Sequence, residues 1–438
     1  MKRTSLSLPR FGQGIGLART ARLAGQLGLD LSALGKRAIV ITGSNGKGST
    51  ASMLTALLGF AGERVGTFTS PHLFRFNERV RINGEPVDDA ALLAAEARVA
   101  AAIERDRQNH PDDGFGEFEA WFLAALCLCK AEGCERLVIE AGIGGRYDPT
   151  RLLQAPLAAI VSVDLEHTAL LGATRREIAL DKLDIAPPGG RVLVGRGLEA
   201  EWDSLATVAA LKRVRIEAPH RVFGPVTSED RLSGHSITLQ HDGMGLIRVE
   251  TGLHGAKQAD NLQLAIALAS TARDDVAPSR WPGLIADALA SARCEGRLEV
   301  LPGSPSLLID VGHTPDAVEA AVTAASELTR DVAAILLLGM SHDKDIDGML
   351  LRLLPHFDRV ILGQAYKGLP SDQLAARVRA VRPEIAILDV CDDADQALEA
   401  GRRQLPAEGV LVGLGGLFWA GALRASFTGQ SLDALDFS

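Results

Sequence analysis

Short runs of β-branched and aliphatic residues alternate with longer stretches of helical periodicity in the first half of the chain. The runs at 137–139, 158–163 and 191–194 predict buried strands. Apolar positions recur every three to four residues in 92–103 and 117–131, which predicts helices. This alternation is typical of a parallel α/β sheet.

The pattern changes twice further along. Residues 222–250 mix strand-like and turn residues and predict a small β excursion at the edge of the first unit, before an alanine-rich helix at 261–272. A second α/β series begins near Arg297, with strands predicted at 307–311, 333–338, 360–362, 385–390 and 410–412. The run 410–423, broken by glycines, is interpreted as a last buried strand and a turn. We therefore predict two domains, 1–295 and 296–438.

Composition narrows the class of protein. A chain of 438 residues with 47% hydrophobic residues can bury two large cores. The net charge of -9 and the lack of a basic run argue against a nucleic-acid partner. Five cysteines without a CxxC pair indicate neither a disulfide framework nor a zinc site. No apolar run approaches the roughly 20 residues that cross a bilayer, so we expect a cytoplasmic protein without a membrane partner.

The first candidate site is a glycine-rich loop between a strand that includes residues 39–42 and a helical run at 51–60. Backbone N–H groups of such a loop and the start of the helix converge on phosphate oxygens, and a lysine adds charge at the β/γ end. The standard G-x-x-x-x-G-K-[ST] spacing is not met, because Ile41 stands at the first glycine position and Gly48 follows the lysine. The predicted triphosphate site comprises Gly43, Asn45, Gly46, Lys47, Gly48, Ser49 and Thr50, with Ser49 or Thr50 able to hold magnesium.

Polar loops follow several other predicted strands. Ser70 opens a loop whose hydroxyl is suited to magnesium, and Glu140 ends a buried strand where a nucleotide metal needs an oxygen ligand. His167 follows the next strand, and Lys182 lies in a predicted helix that begins after Thr174. An ordinary polar loop and a solvated strand terminus remain the alternatives. Arg75, Asn77, Glu78 and Arg79 are candidates for contacting an anionic or heteroaromatic substrate.

The second series repeats the arrangement of strand, acid, glycine turn and histidine. It occurs at 308–315, which contains Asp310 and His313, and a similar loop occupies 339–345. Two such loops at one sheet edge predict a wall that faces the first domain, although solvated connections between strands and helices have the same spacing.

As a set, these segments resemble folylpolyglutamate synthase/dihydrofolate synthase, a branch of the Mur ligase superfamily. The family's TGTNGKGS appears as TGSNGKGS at 42–49, its SPHL-x-x-x-NER at 70–79 and its LE-x-G-x-GGR-x-D at 139–148. Its DHT-x-x-LG appears at 166–172, EKAGI at 181–185, D-x-x-HNP at 310–315 and ADKD at 342–345. The resemblance is ordered and nearly full length.

The resemblance implies an α/β protein with a P-loop-containing, Mur-ligase-like central ATPase domain and a smaller C-terminal Rossmann-like domain. It further implies an ATP- and Mg²⁺-dependent amide ligase that joins L-glutamate to a pterin or folate acid through an acyl phosphate. We expect a monomer. Lys47, His167 and Lys182 would serve catalysis, with Lys182 matching a lysine that is carbamylated in this family.

Further roles carry over residue by residue. Ser70 and Glu140 match ligands of a first magnesium, and His167 a ligand of a second. The ATP-contacting positions are Gln258, Asn261, Arg297, Asp310 and His313. The residues expected to contact the acid substrate are Arg75, Asn77, Arg79 and Asp148.

Several positions depart from the family pattern. Glu166 replaces an aspartate, and Asp181 and Asp184 differ around Lys182; further departures are Arg151, Ala169 and Thr314. Lys47, Glu140, His167 and Lys182 are all retained, which favours ligase chemistry. Because several departures lie beside the substrate crevice, two alternatives stay open: a paralogue that ligates an amino acid to a different carboxylate, and an inactive nucleotide-binding protein.

Overall fold

The structure of the chain, a computed structural model, describes residues 8–9 and 12–431. The first sheet has eight strands in the order β4-β3-β2-β5-β1-β6-β7-β8. All neighbours from β2 to β8 are parallel, and β3 and β4 extend one edge in antiparallel fashion. The strands are β1 Ala38–Thr42, β2 Val65–Phe68, β3 Val80–Ile82, β4 Glu85–Pro86, β5 Arg136–Glu140, β6 Leu157–Ile160, β7 Arg191–Val194 and β8 Arg215–Glu217.

In the part of the chain that the structure describes, ten α-helices cover this sheet and lead from it. They are α1 Leu17–Gln26, α2 Leu31–Gly35, α3 Lys47–Phe60, α4 Asp89–Asn109, α5 Glu117–Ala131, α6 Thr168–Leu171, α7 Arg175–Leu183, α8 Trp202–Lys212, α9 Gln258–Ala272 and α10 Trp281–Ser291. Alternate residues of β1 face opposite cores: Ala38 and Val40 pack on the α5 side, whereas Ile39 and Ile41 pack on the side of α3, α9 and α10. Burial on both faces explains the continuous apolar runs of these strands.

The predicted β excursion is an antiparallel sheet of three strands, β9 Phe223–Arg231, β10 Gly234–His241 and β11 Gly245–Thr251. Alternate residues of its strands are buried: Ile237, Leu239, Ile247 and Val249 join the core shared with α9 and α10. The sheet therefore covers the outer surface of these two helices.

The third sheet has the order β12-β13-β17-β14-β15-β16 and is parallel except for β12. Its strands are β12 Glu299–Leu301, β13 Ser306–Ile309, β14 Ala334–Leu338, β15 Arg359–Leu362, β16 Ala386–Val390 and β17 Val410–Leu414. Its helices are α11 Pro315–Leu328, α12 Ile346–Leu353, α13 Ser371–Val381, α14 Ala394–Gln404 and α15 Leu417–Phe427. The predicted α/β class is confirmed, while the boundary at 295/296 stays a prediction.

Two local predictions were wrong. The strand predicted at 158–163 ends at Ile160, because the chain then leaves the sheet and binds the glycine loop. The run 410–423 is a strand followed by helix α15, not a strand and a turn. Gly415 and Gly416, with φ of +131° and +130°, supply the abrupt change of direction between them.

Two observations concern the cysteines and the membrane-spanning potential of the helices. All five cysteines are free thiols. Among the helices given above, none combines the length and the apolar character that a membrane crossing requires.

Candidate functional site

The glycine loop connects β1 to α3 at the carboxyl edge of the first sheet. Gly46 precedes the helix with φ +81°, and no side chain caps the first turn, which leaves N–H groups available to an anion. A Cβ on Gly46 would lie 2.7 Å from Asn261 Oδ1, so this turn accepts only glycine without rearrangement. The Lys47 ammonium lies over the loop and donates to Gly43 O at 2.8 Å. This geometry suits a polyphosphate.

The segment after β6 holds the loop in place. Ser162 Oγ accepts a hydrogen bond from Asn45 N at 2.9 Å, and Asp164 N donates to Ser44 Oγ at 2.9 Å. The Asn45 side chain donates to Asp164 Oδ2, also at 2.9 Å. Asn45 therefore contributes to the conformation of the loop through its side chain as well as its backbone.

Glu140 lies at the tip of β5, beside β1, and is 4% exposed. Ser70 N donates to Glu140 Oε2 at 3.2 Å, and a Cβ on Gly48 would lie 3.8 Å from the same oxygen. Burial raises the pKa of Glu140, while Lys47, the Ser70 N–H and Arg297 oppose that rise. The structure thus brings Glu140, Ser70 and the start of α3 together, as the order of the strands led us to expect.

These oxygen donors fit a magnesium ion. Carboxylate and hydroxyl oxygens are its preferred protein ligands, and a nucleotide-bound magnesium takes most of its other ligands from phosphates and water. Within 8–9 and 12–431, no three histidine, cysteine, aspartate or glutamate side chains form a group that would hold a metal by themselves. Ser70 bonds Glu140 through its backbone N–H, and Ser49 follows Gly48, which lies beside the same carboxylate. Thr50 is fully buried, and its hydroxyl has no hydrogen-bond partner in the described chain.

Lys182 lies in α7, whose N-cap is Thr174 as predicted. Its side chain is fully buried, and Nζ lies 3.0 Å from Glu166 Oε1. Burial lowers the pKa of Lys182, and Glu166 opposes that shift. Burial alone would raise the pKa of Glu166, but Lys182 and Lys47 hold it below its usual value. Glu166 therefore connects the two lysines electrostatically.

The acids that flank Lys182 are bonded elsewhere. Asp181 Oδ1 accepts from Gly145 N at 2.8 Å, and Asp184 Oδ2 lies 2.7 Å from Arg146 Nε. The ammonium of Lys182 thus pairs with Glu166, which is another of the departures from the family pattern.

His167 is exposed and has φ +46° at the start of the short helix α6. This position follows the carboxylate that pairs with Lys182, on the loop that flanks the glycine loop. Its role as a metal ligand stays a prediction.

The predicted ATP-contacting residues approach the same edge from α9 and from the start of the third sheet. Gln258 Nε2 lies 3.5 Å from Ser49 Oγ, and Asn261 Nδ2 donates to Gln258 Oε1 at 3.0 Å. The charge of Arg297 opposes the burial-raised pKa of both Glu140, in the first sheet, and Asp310, in the third.

At the end of β13, Asp310 shapes the following turn. Its carboxylate accepts from Leu298 N at 3.0 Å and Gly312 N at 2.7 Å. Burial raises the pKa of Asp310, and Arg297 opposes that shift. His313 Nδ1 lies 3.2 Å from Val311 O in the same turn. The contacts of both residues with ATP stay predictions.

The sequence analysis missed Cys294 as a component of this site. Its Sγ lies 3.8 Å from Ser49 Oγ, and burial raises the pKa of the thiol to about 11. The only signal in the sequence was its place three residues before Arg297.

The residues predicted to contact the acid substrate make hydrogen bonds within the chain. Arg75 and Asn77 both bond Asp89, at 2.6 and 2.9 Å. These three line a cleft of about 660 Å³ that also borders Glu295 and Arg424. Their contact with substrate stays a prediction.

Arg79 and Asp148 are buried. Arg79 Nε donates to His72 Nδ1 at 2.8 Å, and its Nη2 lies 2.9 Å from a carboxylate oxygen of Glu117. Asp148 Oδ2 accepts from Gly142 N at 2.8 Å and so shapes the glycine turn after β5. Beside that turn lies the half-buried ring of Phe118, which would be 2.9 Å from a Cβ on Gly142. Arg79 and Asp148 thus make their contacts within the chain, and their contact with substrate stays a prediction. Phe118 packs beside the same turn, which the sequence did not indicate.

Residues 296–416 match the family model of the Mur ligase glutamate ligase domain. The chain is 32% identical to the folylpolyglutamate synthase of Lacticaseibacillus casei over 404 aligned residues. This alignment covers 90% of each of the two chains. The chain belongs to the folylpolyglutamate synthase family. The predicted resemblance is thereby confirmed, and so is the enzyme class: this is an ATP-dependent ligase.

Solved structures agree with this membership. Mycobacterium tuberculosis folylpolyglutamate synthase complexed with ADP has a TM-score of 0.82 at 26% identity, covering 95% of this chain and 96% of that chain. The bifunctional folylpolyglutamate synthase/dihydrofolate synthase of Yersinia pestis, complexed with AMPPNP and a manganese ion, has a TM-score of 0.76 at 26% identity, covering 95% and 94%. The use of ATP and a divalent metal ion follows from this membership, as predicted.

Proposed function

We propose that this ligase joins L-glutamate to the carboxylate of a pterin or folate acid, with release of ADP and phosphate. The observation that carries the proposal is the convergence of Lys47, Glu140 and the Lys182–Glu166 pair at one sheet edge, in a member of the folylpolyglutamate synthase family. Dihydropteroate and tetrahydrofolate are the two candidate acids. The monomeric state and the cytoplasmic location stay predictions.

The reaction has two steps. A carboxylate oxygen of the acid attacks the γ-phosphorus of ATP, and the bond to the bridging oxygen breaks as ADP leaves. The glutamate amine then attacks the acyl carbon, and phosphate leaves as the amide forms and the nitrogen loses a proton. Negative charge gathers around the γ-phosphoryl group in both steps, and Lys47 and the N–H groups at the start of α3 stabilise it. Magnesium, when bound, supplies further charge neutralisation at the phosphates.

The acid substrate is proposed to enter beside the turn that follows β5. There the half-buried Phe118 ring packs beside the backbone of Gly142, two residues after Glu140, and Tyr147 is exposed later in the same segment. A flat heteroaromatic acid is suited to such aromatic side chains. We propose that L-glutamate binds at the carboxyl edge of the third sheet, where the loop after β14 carries His342 and Lys344.

Lys182 is proposed to become a carbamate. Its lowered pKa increases the fraction of neutral amine, which is the form that reacts with carbon dioxide. A carbamate beside Glu166 would place two anions together, and such a pair needs a cation to offset their repulsion. The adjacent His167 makes this loop a reasonable position for a second metal ion.

Glu140→Ala is expected to raise the magnesium concentration needed for half-maximal activity by at least roughly tenfold, because an oxygen ligand is lost. The measurement is a magnesium titration of phosphate release at saturating ATP. Glu217→Ala is the matched control, since Glu217 also ends a parallel strand of this sheet but pairs with Arg191. An unchanged magnesium titration of the Glu140 variant would show that Glu140 ends the strand without binding the metal.

The pH dependence of the same titration gives a second test. Because burial raises the pKa of Glu140, protons compete with the metal at a higher pH than they would at an exposed glutamate. The magnesium requirement of the parent protein should therefore rise as the pH falls toward that pKa. Glu140→Ala should lack this part of the dependence, and an equally steep change in both proteins would contradict the assignment.

A substrate screen tests the proposed function itself. Phosphate release that requires both L-glutamate and a pterin or folate acid, with the amide product identified by mass spectrometry, is the expected result. Separate reactions with dihydropteroate and tetrahydrofolate distinguish the two acids. Turnover only with an unrelated carboxylate would overturn the proposal in favour of a paralogue, and nucleotide binding without any turnover would indicate a protein that has lost the reaction.

A further inference from the structure

Leu73 belongs to the first domain in sequence but to the core of the third sheet in space. It is 4% exposed and forms one apolar cluster with residues of β13 and α15, among them Ile309 and Leu423, and with Val311 just after β13. Leu73 lies three residues after Ser70, in the loop that brings Ser70 to Glu140. One end of this loop therefore lies at the metal-binding edge, and its middle lies in the other domain.

The C-terminal domain is shaped to receive this loop. A Cβ on Gly421, in the middle of α15, would lie 2.6 Å from Leu73 O, so the absence of a side chain permits the loop backbone to approach the helix. A Cβ on Gly296 would lie 3.0 Å from Leu73 Cδ2. The packing at Leu73 is thus close on two sides, and a displacement of α15 would displace the loop.

Glu78 makes the loop rigid. Its carboxylate accepts hydrogen bonds from Leu73 N at 2.7 Å, Phe74 N at 3.1 Å and Arg75 N at 3.0 Å. The sequence analysis considered Glu78 for substrate contact, but these three backbone donors occupy its oxygens. A loop held at Ser70 by Glu140 and at 73–75 by Glu78 moves as one piece.

We propose that Leu73, Gly421 and Glu78 are positioning residues. They couple the position of the C-terminal domain to the arrangement of Ser70 and Glu140 at the metal-binding edge. With α15 packed on Leu73, the Ser70 hydroxyl and the Glu140 carboxylate are held together. If α15 is displaced, Ser70 moves away from Glu140 and the metal site weakens. The metal-binding part of this inference rests on the proposed roles of Ser70 and Glu140, whereas the mechanical part does not.

Gly421→Ala tests the coupling from the C-terminal domain, because it changes α15 but neither the loop nor any proposed metal ligand. In a helix interior this change ordinarily stabilises, but here the methyl group meets the Leu73 carbonyl. Gly401→Ala is the matched control: its Cβ would lie 2.4 Å from Leu411 Cδ2, so it strains the same domain without touching the loop.

The first readout is hydrogen exchange at the Leu73 and Phe74 amides in the ligand-free protein. Gly421→Ala is expected to accelerate their exchange, and Gly401→Ala to leave it unchanged. The second readout is magnesium-dependent binding of a non-hydrolysable ATP analogue by calorimetry. Here Gly421→Ala is expected to weaken magnesium binding by roughly tenfold, the lower end of what loss of an outer support costs a metal site.

Leu73→Ala is the second variant and should reproduce both effects if Gly421→Ala does not fold. Unchanged exchange in a folded Gly421 or Leu73 variant would overturn the mechanical coupling. Faster exchange with unchanged magnesium binding would overturn the link to the metal site. Failure of the ligase assay in the parent protein would count against the proposed function alone, because neither readout requires turnover.

Discussion

Lys47→Ala is expected to lower product formation by roughly two to three orders of magnitude, the loss typical when one preorganised donor to a developing anion is removed. Lys47 starts α3 and lies over the glycine loop, and its charge acts on both Glu140 and Glu166. The ammonium contributes charge at the reacting phosphoryl group and little packing. The measurement is the rate of ADP formation in the presence of the acid and L-glutamate.

Thermal unfolding of the Lys47 variant should stay close to that of the parent protein, which separates loss of chemistry from loss of fold. Lys36→Ala is the control, because Lys36 is an exposed lysine just before β1. Near-normal turnover by the Lys47 variant would contradict the assignment of the phosphate site.

Lys182→Ala is expected to cause the second large loss of activity. Lys182 is fully buried against Glu166, so its removal leaves a partly buried carboxylate without its main partner and removes the amine that would form a carbamate. If a carbamate is present, short carboxylates added to the assay should restore part of the activity by replacing the missing anion. The measurement is the rate of product formation with and without such an additive.

Lys212→Ala is the control for this prediction. Lys212 is a partly exposed lysine that pairs with Asp184, close to α7 but apart from Glu166. An unmodified Lys182 by intact mass, together with an active alanine variant, would overturn the proposed role. Because burial lowers the pKa of Lys182, the neutral amine and hence the carbamate should increase as the pH rises, and added bicarbonate should raise parent activity.

The sequence predicted those features that depend on local pattern. Continuous apolar runs such as 137–139 are buried on both faces of a parallel sheet, and periodic runs such as 117–131 form helices with the expected bounds. Parallel order then places the strand ends at one edge. For this reason Lys47, Glu140 and Ser70 could be placed together before the structure was known.

Other features depend on contacts between distant parts of the chain. The carboxylate of Glu78 binds the loop backbone, and the side chain of Leu73 enters the other domain's core, which no spacing in the sequence indicates. The pairing of Lys182 with Glu166 was also unexpected. The flanking acids Asp181 and Asp184 instead accept hydrogen bonds from Gly145 and Arg146. Apolar runs after glycines, as at 410–423, fit a helix as well as a turn, so their length alone did not decide between them.

The most direct test of the central claim follows the oxygen atoms of the acid substrate. The acid is labelled with heavy oxygen in its reacting carboxylate and incubated with the protein, ATP, magnesium and L-glutamate. Mass spectrometry then analyses the phosphate and the amide. We expect one labelled oxygen in each released phosphate and a product that has gained one glutamyl residue, as an acyl-phosphate intermediate requires. Amide product accompanied by unlabelled phosphate, or labelled phosphate without any glutamyl product, would contradict the proposed reaction.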